Sequence, residues 1–115
     1  MKILPLNHKD KLVIRTTGGA HIISCNDIVF VKADNNYSKI YLTNKKELLA
    51  CNTLKHIESI LKSSGFVRCH KSYLVNIESV IELCCSIPAK LLLKNNYEIP
   101  VSREGLKRIK LIFGI

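Results

Sequence analysis

Short runs of branched and aromatic residues, separated at close intervals by turn-forming residues, constrain this chain most strongly toward a β fold. Residues 11–16 and 20–24 flank a Thr-Gly-Gly sequence, the pattern of a β-hairpin with a glycine turn. Residues 28–33 form an apolar, branched run that ends at an Asp-Asn-Asn sequence, where these residues tolerate the left-handed backbone of a turn. By the same criteria, further strands are predicted at residues 37–42, 47–51, 66–69, 73–75, 80–84, 90–93 and 97–101.

In two segments the apolar residues recur at the spacing of an α-helix. The first follows Asn52 and Thr53, either of which can cap a helix, and Gly65 is placed to end it as a C-terminal cap. Its buried face is predicted to contain Leu54, Ile57 and Leu61. A second short helix is predicted from Ser102, with a buried face of Leu106, Ile109 and Phe113. The predicted fold class is therefore mainly β, with one or two short helices.

A length of 115 residues suits a single domain, in which residues 1–10 are predicted to be a lead-in and residues 11–115 the folded domain. The chain is 47% apolar, enough for a hydrophobic core. Eighteen Lys and Arg residues face nine Asp and Glu residues, which gives a net charge of +9. A polyanion is the natural partner of such a chain, with nucleic acid ahead of an anionic membrane.

Several other classes are not supported by the sequence. No run reaches the roughly 20 apolar residues of a spanning helix, so we expect no membrane insertion and a soluble, cytoplasmic protein. The five cysteines lack Cys-x-x-Cys spacing, which favours free thiols over disulfides or a metal site. Cys69 and His70 are neighbours on a predicted strand and point to opposite faces, so they do not form a nucleophile and base pair. We predict neither an enzyme nor a cofactor.

Residues 66–76 (FVRCHKSYLVN) are the most informative segment for function. Apolar, β-prone residues at both ends would anchor the segment in a sheet. His70, Lys71 and Ser72 then offer donors, an acceptor and a positive charge at the bend between two strands. Such a loop could read nucleic acid, although many polar turns are simply solvated.

The order of these segments resembles the LytTR family of bacterial DNA-binding domains, the output modules of many two-component response regulators. Three stretches carry the resemblance, which covers nearly the whole chain: residues 28–42 (IVFVKADNNYSKIYL), 66–76 (FVRCHKSYLVN) and 99–103 (IPVSR). The predicted helix at residues 54–61 also falls where that family has one. The resemblance implies an elongated fold of several β-sheets, whose loops rather than a recognition helix enter successive major grooves and bend double-stranded DNA at repeated sites.

Carried over by position, the resemblance also implies which residues bind DNA. The first loop contributes Asn36, Tyr37, Ser38 and Lys39. The second loop contributes His70, Lys71 and Ser72, and the start of the final helix contributes Ser102 and Arg103.

The chemistry of these residue types fits such a role. Arg103 can bind guanine O6 and N7 in a bidentate fork, and Lys71 can reach the same atoms or a phosphate. His70 can donate or accept at a base edge, whereas Asn36 and Ser38 are expected to make positioning contacts with the DNA backbone. At the start of the final helix, exposed backbone amides could also hold a phosphate.

Some of these side chains also have a purely structural interpretation. Tyr37 and Tyr73 could be packed aromatic residues with solvated hydroxyl groups. Arg68 could form an ion pair with Glu82 or Glu78 across strands. In each case the sheet itself would explain the residue.

The chain departs from the family pattern at Lys32. The family commonly has an acidic residue there, in the strand before the first loop, so any contact made by that acid is not expected here.

Two other functional classes are compatible with the sequence. A β-type binder of single-stranded nucleic acid would need a sheet face of exposed aromatic residues, and the chain has seven aromatics, several at predicted core positions. A protein-interaction module is the other alternative. Because the first predicted strand follows closely on Met1, we expect the 115 residues to hold no receiver domain, as in a stand-alone regulator or a piece of a longer response regulator. A receiver domain on a longer chain or a separate regulatory protein is therefore a predicted partner.

Overall fold

A computed structural model describes residues 10–115 of the chain. Within this range ten strands and two helices follow one another. They are β1 (Lys11–Thr16), β2 (Gly19–Ser24), β3 (Ile28–Asp34), β4 (Tyr37–Leu42), β5 (Glu47–Ala50), α1 (Leu54–Leu61), β6 (Phe66–His70), β7 (Tyr73–Asn76), β8 (Val80–Cys84), β9 (Lys90–Leu93), β10 (Glu98–Pro100) and α2 (Arg103–Phe113). The mainly β fold predicted from the sequence is confirmed.

The strands form three antiparallel sheets. β1 and β2 form a hairpin, β10, β9 and β8 form a three-stranded sheet, and β5, β4, β3, β7 and β6 form a five-stranded sheet in that order. The molecule is elongated, with principal extents of 51 × 28 × 24 Å.

The five-stranded sheet is the central layer, and β3 is its middle strand. Ile28–Val31 are four consecutive buried residues, as expected for a strand that is covered on both faces. One core lies between this sheet, the β1–β2 hairpin and α1. The other lies between the sheet, the β8–β10 strands and α2.

Both helices begin next to predicted capping residues, and of Asn52 and Thr53 it is Thr53 that caps α1. The Thr53 hydroxyl accepts a hydrogen bond from the His56 backbone at 3.2 Å, and Gly65 has a φ of +86° after the helical segment. The predicted burial of Phe113 is wrong, because its side chain is 44% exposed. Leu111 and Ile112 are exposed as well, so the last turn of α2 extends beyond the core.

Candidate nucleic-acid interface

Three polar segments lie at the same end of the five-stranded sheet. β3 pairs antiparallel with both β4 and β7, so the β3–β4 turn at residues 35–36 and the β6–β7 turn at residues 71–72 share one end. The Ala33 N–H donates to the Ser72 carbonyl at 2.9 Å and ties the two turns together. The Ser102 N–H donates to the Cys69 carbonyl at 2.9 Å, which brings the start of α2 to the same place.

The first loop is a tight turn that leaves most of its side chains in solvent. Asn35 has a φ of +59°, a conformation that Asn tolerates better than most residues. Asn36 is exposed and Tyr37 is 44% exposed, so a role for Tyr37 in the core is excluded. The Lys39 ammonium lies 3.7 Å from Glu47 Oε1 in a partly exposed ion pair.

Ser38 differs from the other predicted residues of the first loop. Its side chain is fully buried, and its hydroxyl donates to the Asn52 carbonyl at 2.7 Å. The period of two along β4 turns Ser38 inward while its neighbours face outward. The prediction of a DNA contact through the Ser38 side chain is therefore corrected: this hydroxyl fastens β4 to the segment after β5.

The second loop is held by hydrogen bonds from Arg68. The guanidinium group donates to the carbonyls of His70 at 3.1 Å and Lys71 at 2.6 Å, and it pairs with Glu58 of α1 at 2.6 Å. The predicted pairing of Arg68 with Glu82 or Glu78 is wrong, because packing of α1 beside β6 brings Glu58 closer. The Lys71 side chain remains exposed.

His70 is fixed in one orientation within this loop. The Ser72 N–H donates to His70 Nδ1 at 3.0 Å, so the neutral ring carries its proton on Nε2. Burial lowers the pKa of His70, and the neighbouring Lys71 and Arg68 charges lower it further. Tyr73 packs edge-on against the imidazole, with ring centroids 5.5 Å apart. His70 therefore offers a donor at Nε2.

The third segment is the first turn of α2. The Ser102 hydroxyl caps the helix by accepting from the Gly105 N–H at 3.0 Å. Gly105 lies directly on β6, because a Cβ atom at this position would be 1.9 Å from the Cys69 carbonyl oxygen. Arg103 is exposed at the start of the helix. Since the N–H groups of Ser102 and Gly105 are occupied, a phosphate here would bind the amides of Arg103 and Glu104.

Two further cations belong to this end of the molecule and were not among the predicted site residues. Lys32 is exposed, faces Lys39 across β3 and β4, and lies 5.9 Å from the centre of the Tyr73 ring. Arg108 lines a groove with the second loop and Ser102, and it donates to the Arg68 carbonyl at 2.8 Å. The hairpin register could have identified Lys32, whereas Arg108 required the position of α2 on β6.

No disulfide joins any of the five cysteines, all of which lie within the described residues. Cys69 is completely buried. Burial raises the pKa of Cys69 to about 12, so its thiol stays protonated at neutral pH. Residues 10–115 contain no cluster of three or more metal-ligating side chains. None of the helices in this range is long and apolar enough to span a membrane.

Comparison with known proteins identifies the class to which this fold and its loops belong. The family model described as the LytTr DNA-binding domain matches residues 18–114. A solved LytTr DNA-binding domain from a Bacillus cereus response regulator superimposes with a TM-score of 0.77 at 18% identity, covering 92% of this chain and 98% of that one. The family match places the chain in the class of LytTr DNA-binding domains.

Curated relatives give the same assignment at higher identity. The chain is 33% identical to the transcriptional regulatory protein BtsR of Escherichia coli, covering all of this chain and 48% of BtsR. It is 31% identical to the sensory transduction protein LytR of Staphylococcus epidermidis, covering 83% of this chain and 38% of LytR. The chain belongs to the LytTR family, and it spans less than half the length of these two relatives.

Proposed function

We propose that this chain binds double-stranded DNA and reads base sequence in the major groove with its loops. The observation that carries the proposal is the convergence of the β3–β4 turn, the β6–β7 turn and the start of α2 at one end of the central sheet. All three segments carry exposed donor-bearing or cationic side chains. The proposed DNA contacts are Asn36, Tyr37, Lys39, His70, Lys71, Ser72, Arg103 and the backbone next to Ser102.

These contacts divide into two kinds. Arg103 and His70 are assigned to base edges, because a guanidinium fork and a fixed Nε2 donor both match guanine acceptors. Lys39 and Lys32 lie on a strand face behind the loops and are assigned to phosphates, which position the protein without reading sequence. Lys71 is assigned to a base on account of its place beside His70.

The packing of the aromatic residues argues against a stacking platform for single strands. Phe30 and Tyr41 stack with centroids 4.2 Å apart, and Tyr97 packs edge-on against both rings. Tyr73 joins the same cluster at 6.0 Å from Phe30. These rings pack against one another in the core between the central sheet, the β8–β10 strands and α2, so they offer little free π-surface to bases.

The names of the relatives suggest a place for this domain in a regulator. We infer that the chain acts in transcription regulation in the cytoplasm, either joined to a receiver domain or controlled by a separate partner protein. Binding at repeated DNA sites is part of the same proposal. An absence of enzymatic activity is expected, because the proposed role needs only binding.

Selection of bound sites from random duplex DNA tests the proposal and identifies the target together. If about five phosphates are neutralised, log K against log salt should have a slope of about −4.5 on the selected duplex. Single strands of the same sequence should bind more weakly at the same salt. Equal or tighter binding of single strands would support the stacking alternative, and no binding to any duplex at low salt would support the interaction module.

A further inference from the structure

Arg68 lies just before the second loop, and its guanidinium group is bound on three sides by protein atoms. Nη1 lies 2.6 Å from Oε1 of Glu58, while Nε and Nη2 donate to the carbonyls of His70 and Lys71. A guanidinium group is planar and its donors are fixed in direction, so the two carbonyls are held in one orientation relative to α1. The Arg68 side chain is only 24% exposed.

We propose that Arg68 and Glu58 are positioning residues, which set the hydrogen-bonding pattern of the second loop without touching DNA themselves. This inference rests on the proposed function of that loop. Glu58 orients Arg68 from α1, and Arg68 holds the bend that carries His70 and Lys71. Arg108 adds a second hold, since it donates from α2 to the Arg68 carbonyl at 2.8 Å.

The bend controls which ring nitrogen of His70 carries the proton. Only while residues 70–72 keep this bend can the Ser72 N–H reach His70 Nδ1, at 3.0 Å. That bond places the ring proton on Nε2 and makes this nitrogen a donor. If the carbonyls of His70 and Lys71 are released, Nδ1 loses its fixed donor and the ring can exchange between tautomers. The loop would then present a mixture of donor and acceptor to a base.

Charge and positioning predict opposite results when Glu58 is neutralised. Glu58→Gln removes a negative charge from a basic domain, so electrostatic attraction alone predicts equal or tighter DNA binding. The positioning role predicts weaker binding to the selected site, because glutamine no longer orients the guanidinium group. Glu98→Gln is the matched control: it makes the same charge change in an exposed ion pair, 3.2 Å from Lys90 on the β9–β10 hairpin.

The first experiment measures affinity for the selected duplex and for an unrelated duplex. For Glu58→Gln we expect a loss on the order of tenfold on the selected site, the size of one charge-assisted hydrogen bond, with no loss on the unrelated duplex. Glu98→Gln should change either affinity by no more than about twofold. Binding of Glu58→Gln as tight as that of Glu98→Gln would overturn the proposal.

Arg68→Lys provides a second variant at constant charge. A lysine ammonium cannot reproduce the planar fork to Glu58 and both carbonyls. We expect a loss similar to that of Glu58→Gln, whereas a phosphate contact at this position would survive the exchange. Retained selected-site affinity in Arg68→Lys would contradict the positioning role. Thermal unfolding of each variant separates loop effects from loss of the fold.

Nitrogen NMR of the free proteins gives a readout that needs no DNA. In the unmodified chain the His70 shifts should report a single tautomer with the proton on Nε2, and in Glu58→Gln and Arg68→Lys they should move toward the average of two tautomers. Unchanged shifts in both variants would sink the proposal even if affinity fell. If the unmodified chain bound no duplex, the proposed function would fail, while the shifts would still decide whether Arg68 positions His70.

Discussion

The first and second loops lie side by side at one end of the central sheet, yet they are held in different ways. The second loop is fixed by Arg68, by the Ser72 N–H to His70 bond and by the link from Ala33. In the first loop the Asn36 and Tyr37 side chains make no hydrogen bond to any residue in the described part of the chain. The second loop is therefore ordered by side-chain hydrogen bonds, whereas the Asn36 and Tyr37 side chains of the first loop are free to adapt.

Pre-ordering affects what each loop can contribute to recognition. A fixed donor loses little conformational entropy on binding and discriminates between bases through its geometry. Exposed side chains on a tight turn must be ordered by the DNA itself, so they add contact area at a greater entropic cost. We expect sequence discrimination to come mainly from the second loop and Arg103, and adaptation to DNA shape from the first.

The largest expected effect comes from breaking the contact that holds the start of α2 on β6. Gly105→Ala would place a methyl group 1.9 Å from the Cys69 carbonyl oxygen, a backbone atom that cannot easily move. We expect a loss of about 3 kcal/mol or more in the free energy of unfolding, the upper range for overpacking. Urea denaturation measures this loss, and DNA binding should weaken as the third segment shifts.

Gly18→Ala is the matched control for that substitution. No atom lies within 4 Å of a Cβ at Gly18, in the exposed turn between β1 and β2. Its free energy of unfolding should change by less than about 0.5 kcal/mol, as is usual at surface sites. Equal losses in the two variants would show that α2 does not depend on close approach at Gly105.

Arg103→Ala tests whether base reading resides with the ordered segments. We expect a loss of about 1 to 3 kcal/mol in binding free energy on the selected site, with relaxed preference at one base pair. The unfolding free energy should hardly change, since Arg103 is exposed. Repeated site selection with the variant measures the preference, and an unchanged preference would assign Arg103 to phosphate.

Lys39→Ala tests the phosphate-positioning role of the strand behind the first loop. Loss of the lysine side chain should weaken binding to all duplexes alike and reduce the slope of log K against log salt by about one unit. The partly exposed ion pair with Glu47 contributes little to stability, so the fold should be unaffected. Lys62→Ala and Lys94→Ala are controls away from the three loops, and losses there greater than those from Arg103→Ala would place DNA on another face.

The smallest expected effect is the pH dependence of the ordered loop. The pKa of His70 is lowered in the folded protein, so below its ordinary pKa of about 6.5 the unfolded chain binds more protons. The contribution of neutral His70 to the stability of the fold is complete above pH 6.5, and it is lost as the pH falls toward the lowered pKa of the folded protein. Protonation also removes the Nδ1 acceptor for Ser72. Between pH 7.5 and pH 5.5 the free energy of unfolding, measured by urea denaturation, should decrease less for His70→Gln than for the unmodified chain.

Local sequence patterns were enough to predict most of the elements and the position of the loops. The turn between β3 and β4, the Thr53 cap and the end of the helical segment at Gly65 each depend on residues close in the chain. The exposure of Lys71 and Arg103 also followed from their place next to strand and helix ends. The period of apolar residues and the capping of helices depend on residues close together in the chain, so they can be predicted from the sequence alone.

Tertiary structure alone decided which distant side chains meet. Glu58 became the partner of Arg68 because α1 packs beside β6, and the inward-facing Ser38 hydroxyl found its acceptor, the Asn52 carbonyl, in the segment after β5. The close approach of Gly105 to Cys69 joins residues that are 36 positions apart in the chain. Such contacts arise from the order of strands in the sheet and from helix docking. Neither is encoded in the local spacing of apolar residues, so the sequence determined where the loops are, and packing determined how each one is held.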